Sequence, residues 1–213
     1  MNFVYISIIL LFSTRSYLYL AKKFKIFDVP NHRSSHSLNT IRGVGVIIPI
    51  SFFSYLFFFD EGTNFTFFSI GLFIISLISA LDDIFSIKIY IRLIVHFISS
   101  VLLLIQLGHI TVPPVLIMIA VILIVGWLNA FNFMDGVNGM AALYAATFLL
   151  SLLFIPELDN KNSLILSLLL ALAIFIFLNV REKPISFFGD SGSITMPYLM
   201  AFLMFLLIQK TGS

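Results

Sequence analysis

The chain alternates long apolar runs with short polar connectors. A helix that crosses the hydrocarbon core of a bilayer needs about 20 apolar residues, within a range of roughly 17–25. Eight stretches approach or reach that length, at about 2–20, 43–59, 65–81, 86–107, 113–130, 139–155, 163–179 and 193–208. Between them lie the connectors 21–42, 60–64, 82–85, 108–112, 131–138, 156–162 and 180–192, with a tail at 209–213. The pattern predicts an all-α fold, a polytopic integral membrane helix bundle of about eight transmembrane helices. No internal repeat or low-complexity linker divides it, so residues 1–213 read as a single transmembrane domain. The first run has no basic stretch before it and no small-residue cleavage site, and reads as a span rather than a secretion signal.

Composition agrees: 60% of residues are hydrophobic and 10% charged, with mean hydropathy +1.10, whereas a soluble domain carries about 25% charged residues. The absence of cysteine excludes a disulfide framework and a thiolate metal site. A net charge of +2 decides little by itself, and no nucleic-acid partner is expected. The placement of charge is more useful. Lys22, Lys23, Lys25, Arg33, Arg42, Lys88, Arg92, Arg181 and Lys183 fall in or beside the connectors of one side, and only Lys161 and Lys210 on the other. By the positive-inside rule the first side is cytoplasmic. The reading is therefore a multi-pass protein of a bacterial inner (cytoplasmic) membrane with both termini outside. The three lysines at 22–25 read as a headgroup-facing cluster.

Parity then groups the acidic residues. Two spans separate Asp82-Asp83 from Asp135, and two more separate Asp135 from Asp190, so all four carboxylates return to the cytoplasmic face. The helices leaving that face begin beside polar motifs, and helix N-termini favour anions. The arrangement suits a polyanion such as a pyrophosphate, with a cation reconciling phosphates and carboxylates.

Each motif also has a plain structural reading. Asp82-Asp83 ends an apolar run and would serve as a cap or topological stop. One Asp suffices for that, and adjacent carboxylates raise each other's pKa unless a cation is near. Asn129-Ala-Phe-Asn-Phe-Met-Asp-Gly-Val-Asn-Gly139 would serve as a turn. It is more polar than a turn requires, and Asn132 and Asp135, three apart, share a helix face and offer the hard oxygens that Mg²⁺ prefers. Phe187-Phe-Gly-Asp-Ser-Gly-Ser193 would be a capped helix start, or a Gly-rich nest facing phosphate with Asp190 free to hold a metal. In the first loop Arg33, His36 and Arg42 suit phosphate contacts. Arg92 reads as a cation snorkelling to the headgroups, and His96, one turn deeper, as a core histidine or a site residue.

The ordered set of Asp28-Val-Pro-Asn-x-Arg-Ser-Ser-His36, Arg42-Gly-x-Gly45, Leu81-Asp-Asp83, Asn129 to Gly139 and Phe187 to Ser193 resembles the bacterial polyprenyl-phosphate N-acetylhexosamine-1-phosphate transferases, in glycosyltransferase family 4. That family includes the transferases that start O-antigen and teichoic-acid linkage synthesis, and phospho-MurNAc-pentapeptide translocase. The resemblance runs from about residue 20 to 200. Asn138, where many members have Asp, is similar to the branch making O-antigen or lipopolysaccharide precursors. Val44 replaces the usual Gly, and Asn39 and Ile41 replace usual prolines. Residues 1–213 are read as lacking the family's C-terminal spans and His-rich loop.

The resemblance implies a Mg²⁺-dependent enzyme (Mn²⁺ as the alternative) that moves a HexNAc-1-phosphate from a UDP-sugar to undecaprenyl phosphate and releases UMP. It implies Asp82 and Asp83 as the catalytic pair, with metal and acceptor positioning weighed equally with a base role. Asp190 and Asn132 become the metal ligands, and Asn132, Asp135, Asn138, Phe187, Arg42, Arg33 and His36 the substrate contacts. Undecaprenyl phosphate, UDP-HexNAc and membrane lipid are the expected partners, with a homo-oligomer left open. A non-catalytic polyprenyl-phosphate-binding or assembly subunit is the alternative reading.

Overall fold

The computed structural model describes residues 1–28, 39–59, 64–108 and 113–212. It is an all-α polytopic membrane bundle. Among the described residues, six helical segments are long and apolar enough to cross a membrane: Asn2–Lys23 (α1), Thr66–Phe85 (α3), Ile89–Gln106 (α4), Pro114–Met134 (α5), Pro156–Asn179, whose α-helical part Asn162–Asn179 is α7, and Gly189–Thr211. The last comprises a short helix Gly189–Ser193 (α8) and the long Thr195–Thr211 (α9). The stretches expected at 43–59 and 139–155 form shorter apolar helices, Ile47–Phe58 (α2, entered through a 3-10 turn at Val44–Val46) and Met140–Leu152 (α6). A two-residue antiparallel ladder joins Phe27–Asp28 (β1) to Thr40–Ile41 (β2), and Ile41 forms a parallel bridge to Ser186. These few β pairs tie the first loop to the segment ahead of α8.

In lipid there is little hydrophobic drive between helices, so close contact and interhelical hydrogen bonds set the packing. Helices α3 and α4 meet through small residues: Gly71, Ser76 and Ser79 are buried on one, Ser99 and Ser100 on the other. Ser99 Oγ donates to the Gly71 carbonyl at 3.0 Å, and the buried Tyr198 hydroxyl of α9 donates to the Ser99 carbonyl at 2.8 Å. Likewise Ser51 of α2 donates to the Ser167 carbonyl of α7 at 2.6 Å. Around α9, the most buried of the long segments, Phe68 stacks on Tyr198 and Phe202 with centroids 5.1 and 4.2 Å away.

The two ends of the bundle differ in chemistry. At one end Lys210 Nζ donates to the Glu157 carbonyl and Asn160 Oδ1, Lys161 lies 4.9 Å from the Phe65 ring, and Gln106 bonds Asn64. At the other, the ends of α3 and α5 and the starts of α2, α4, α6 and α8 gather Asp82, Asp83, Asp135 and Asp190.

Candidate active site

The site is built outward from Asp83. The last turn of α3 carries both Asp82 and Asp83, because the helix runs on to Phe85 before Ser86 ends it in a left-handed cap. Side chains of consecutive helical residues diverge, and here they serve different partners. Asp83, with a 2% exposed side chain, turns inward. Its Oδ1 accepts the backbone N–H of Asp190 at 2.8 Å and Arg42 Nε at 2.8 Å; its Oδ2 accepts the N–H of Ser191 at 3.0 Å. The Gly-rich start of α8 does present free N–H groups as the motif suggests, but the anion on them is the Asp83 carboxylate rather than an open phosphate nest.

The glycines explain how α8 approaches so closely. Gly189 has φ +70°, with Asp83 oxygens at 2.6–2.7 Å from where a Cβ would stand. Gly45 lies backbone to backbone against Gly192, and its N–H donates to the Phe188 carbonyl at 3.0 Å. The Phe188 ring in turn covers Gly192 and stacks on Phe175 of α7 at 4.3 Å. The glycine pairs at 43/45 and 189/192 are therefore one packed unit around a carboxylate.

Two arginines bind the carboxylates together. Arg42 spans Asp83 and, through Nη2, Asp190 Oδ1 at 3.1 Å. Arg92 Nη1 lies 2.7 Å from Asp82 Oδ2 and 3.1 Å from Asp190 Oδ2. Arg92 thus points into the site instead of snorkelling to headgroups: it sits one turn inside the start of α4, at the same end as the carboxylates, and an ion pair there outcompetes a stretch to the surface. Asp82 Oδ1 also accepts the Ile87 N–H and so caps the turn between α3 and α4. Asp190 Oδ2, although near Arg92, is buried without a hydrogen bond of proper geometry among the described residues.

The remaining predicted residues surround this core. Asn132 Oδ1 accepts Ser193 Oγ at 2.7 Å, which fastens the end of α5 to α8. Asp135, directly after α5, is half-buried. Burial first, and then the charges of Asp83 and Asp190, push its carboxyl well above the ordinary range; Arg42 and a hydrogen bond from the Gly189 backbone oppose the shift. Phe187 is half-buried, its N–H donating to the Ile41 carbonyl at 2.8 Å. Asn138 is exposed at the rim. Asn129 is turned onto its own helix, donating to the Val125 carbonyl at 2.7 Å. Arg33 and His36 lie outside the described residues. His96 is buried, and its Nδ1 has no hydrogen-bond partner among the described residues.

Two supporting residues escaped the sequence reading. Tyr17 of α1 donates to the Arg42 carbonyl at 2.6 Å and so holds the arginine's backbone. Asn179, ending α7, accepts the Gly139 N–H at 2.6 Å and donates to the Ser186 carbonyl at 3.0 Å, linking the starts of α6 and α8. The available signal was weak: a hydroxyl and an amide, each at the site end of an otherwise apolar helix.

No group of three His, Cys, Asp or Glu side chains among the described residues is spaced to cage a metal. Mg²⁺ rarely needs such a cage; it keeps waters and uses one or two carboxylates plus substrate phosphates. Asp190 Oδ2, which has only the ion pair to Arg92, and Asn132, fastened to the same short helix, fit that mode of binding.

A polytopic helix bundle with carboxylates and arginines gathered at one end defines the class, a multi-helix membrane protein. The chain belongs to glycosyl transferase family 4, whose model matches residues 65–208. It is 33% identical over 195 residues to the undecaprenyl-phosphate alpha-N-acetylglucosaminyl 1-phosphate transferase of Thermotoga maritima, covering 88% of this chain and 59% of that protein. It is 26% identical over 216 aligned positions to the probable undecaprenyl-phosphate N-acetylglucosaminyl 1-phosphate transferase of Bacillus subtilis, covering 90% of this chain and 58% of that protein. The chain therefore spans under two thirds of the length of these curated relatives.

Proposed function

We propose that the chain transfers a HexNAc-1-phosphate from a UDP-sugar to undecaprenyl phosphate and releases UMP, with its site on the cytoplasmic face of a bacterial inner membrane. The observation that carries the reading is the convergence of Asp82, Asp83 and Asp190 with Arg42 and Arg92 at one end of a membrane bundle. Family membership and the substrates named for the relatives supply the reaction class.

In this reading a phosphate oxygen of the lipid attacks the sugar-bearing phosphorus of the donor. A new P–O bond forms, the bond to the UMP oxygen breaks, and UMP leaves with that electron pair. A phosphate monoester has a second pKa near 6, so the acceptor is largely dianionic at neutral pH and the demand for a base is modest. What the site must supply is placement of two anions and neutralisation of their charge. Arg42 and Arg92, now on carboxylates, are the cations that phosphate oxygens would share. Asp190 and Asn132 would hold Mg²⁺, which supplies charge neutralisation to the pyrophosphate when bound. The two acidic residues of α3 divide the work. Asp83 has both oxygens filled by N–H donors and is a positioning residue. Asp82 is also buried and held at both oxygens, by the Ile87 N–H and by Arg92; it is assigned to the acceptor on the resemblance, beside Arg92, a cation that phosphate oxygens would share. Phe187 is assigned to the uracil, Asp135 and Asn138 to the nucleotide rim, and Arg33 and His36 to substrate on the resemblance alone.

The test is UMP release by purified protein given UDP-GlcNAc, undecaprenyl phosphate and Mg²⁺. The expected result is Mg²⁺-dependent turnover that falls about 100-fold or more in Asp82→Ala and Asp190→Ala, a loss within the usual range for positioned charged groups. Variants equal to wild type would end the site assignment. The second reading, lipid-phosphate binding without turnover, is favoured by the two arginines already neutralising the carboxylates. Retention of undecaprenyl phosphate with no UMP from any UDP-HexNAc would select it.

A further inference from the structure

Away from the acidic site, α1 and α7 leave a groove of about 550 Å³ between them. One wall is a stripe of α1 at helical spacing, including Leu11, Arg15, Leu18 and Lys22; the other is the last turns of α7, with Phe177 prominent. The apolar part faces where acyl chains lie in a bilayer. Its charged lining residues carry a single sign, Arg15 and Lys22; Arg181 lies against the lining Phe177, its guanidinium 4.3 Å over the ring and its Nε on the Phe177 carbonyl at 2.7 Å. Among the described residues no acidic side chain lines the groove.

Arg15 is the unexpected member. It lies about 10 Å along the helix from Lys22, deeper in the span, where a cation is costly. Its side chain has no hydrogen bond or ion pair among the described residues. Helix α1 is the least buried of the long segments, so the groove opens to lipid. A lipid with an anionic head, seated head towards the site end, matches both the cations and the apolar lining.

We infer that the α1–α7 groove binds an anionic glycerophospholipid, its phosphate between Arg15 and Lys22 and its acyl chains along Leu11 and Ile174. This binding is independent of the proposed reaction and of its substrates. It would anchor α1, and through Tyr17 the Arg42 loop, to the surrounding leaflet.

Native mass spectrometry of the detergent-purified full chain, given equal amounts of phosphatidylglycerol and phosphatidylcholine, tests it. The expected result is a preference for phosphatidylglycerol on the order of tenfold, from two cations at the head. Arg15→Gln with Lys22→Gln should bring that preference close to one, while Lys88→Gln, on a different helix, should keep it. Ile174→Trp, which fills the groove without changing charge, should lose the bound lipid; it keeps the question answerable if the double variant folds poorly. Millimolar inorganic phosphate should not displace the lipid. A wild type without preference, a Lys88→Gln loss equal to that of the double variant, retention in Ile174→Trp, or displacement by phosphate would each overturn the assignment.

Discussion

Asp83 is the sharpest place to test the architecture, because its carboxylate accepts three donors from two distant segments. Asp83→Ala removes the acceptor for the Asp190 and Ser191 N–H groups and for Arg42 Nε. Arg42 is partly exposed and can turn to water, so its loss counts for little. The two N–H groups belong to residues only 7% and 1% exposed. A buried donor left without a partner costs about 1–3 kcal/mol. The vacated carboxylate volume admits some water, so the pair should cost about 2–4 kcal/mol. At about 2–4 °C per kcal/mol for a chain of this size, the melting temperature should fall on the order of 5–15 °C. Asp83→Asn should fall between, since its amide keeps one acceptor oxygen but turns an NH₂ towards an N–H. Asp82→Ala should melt higher than Asp83→Ala, because its partners Arg92 and Ile87 are partly exposed. The assay is a thermal ramp of detergent-solubilised protein, with Trp127 fluorescence as one signal. If Asp83→Ala melts within about 2 °C of wild type, or Asp82→Ala melts lower than Asp83→Ala, the carboxylate is not what holds α8 in place.

Three further outcomes are expected. Gly45→Ala should destabilise by about 3 kcal/mol or more, above the usual range for an added methyl, because its Cβ meets the Gly192 backbone and no side chain can yield; equal melting temperatures would deny the close approach. For Asp135, a folded-state pKa raised above the unfolded value means the native state binds more protons between those two values, so stability falls as pH rises through that window. Asp135→Asn should therefore raise the melting temperature of the Mg²⁺-free protein at pH 7 and flatten its pH dependence above about pH 4; an unchanged slope would refute the crowding of carboxylates. Tyr198→Phe removes the hydroxyl on the Ser99 carbonyl and should lower stability by about 1 kcal/mol, while UMP release, if present, stays within about twofold of wild type.

Much of the site could be read from the chain because its charged residues are rare and sit at helix ends. Parity placed Asp82-Asp83, Asp135 and Asp190 at one end, and the bundle brings them there. The sequence does not show when a polar group finds its partner inside the protein. Arg92 reads as a headgroup contact and the α8 amides as a cap or a phosphate nest, whereas both meet carboxylates of this chain. Tyr17 and Asn179 carried no motif and gained meaning only from the backbone groups they reach.

Hydropathy and spacing by themselves determined the class of fold, the positions of eight apolar helices and the end at which the chemistry gathers, since helix length and crossing parity are properties of a linear string. They did not determine that two of the eight are short, because an apolar run does not mark where its helix starts and stops. Only the tertiary structure decided which carboxylate answers which donor. That depends on how each helix is rotated about its axis and how closely glycines let backbones meet, and Arg42, Asp83 and Asp190 become neighbours only once α3 and α8 are packed.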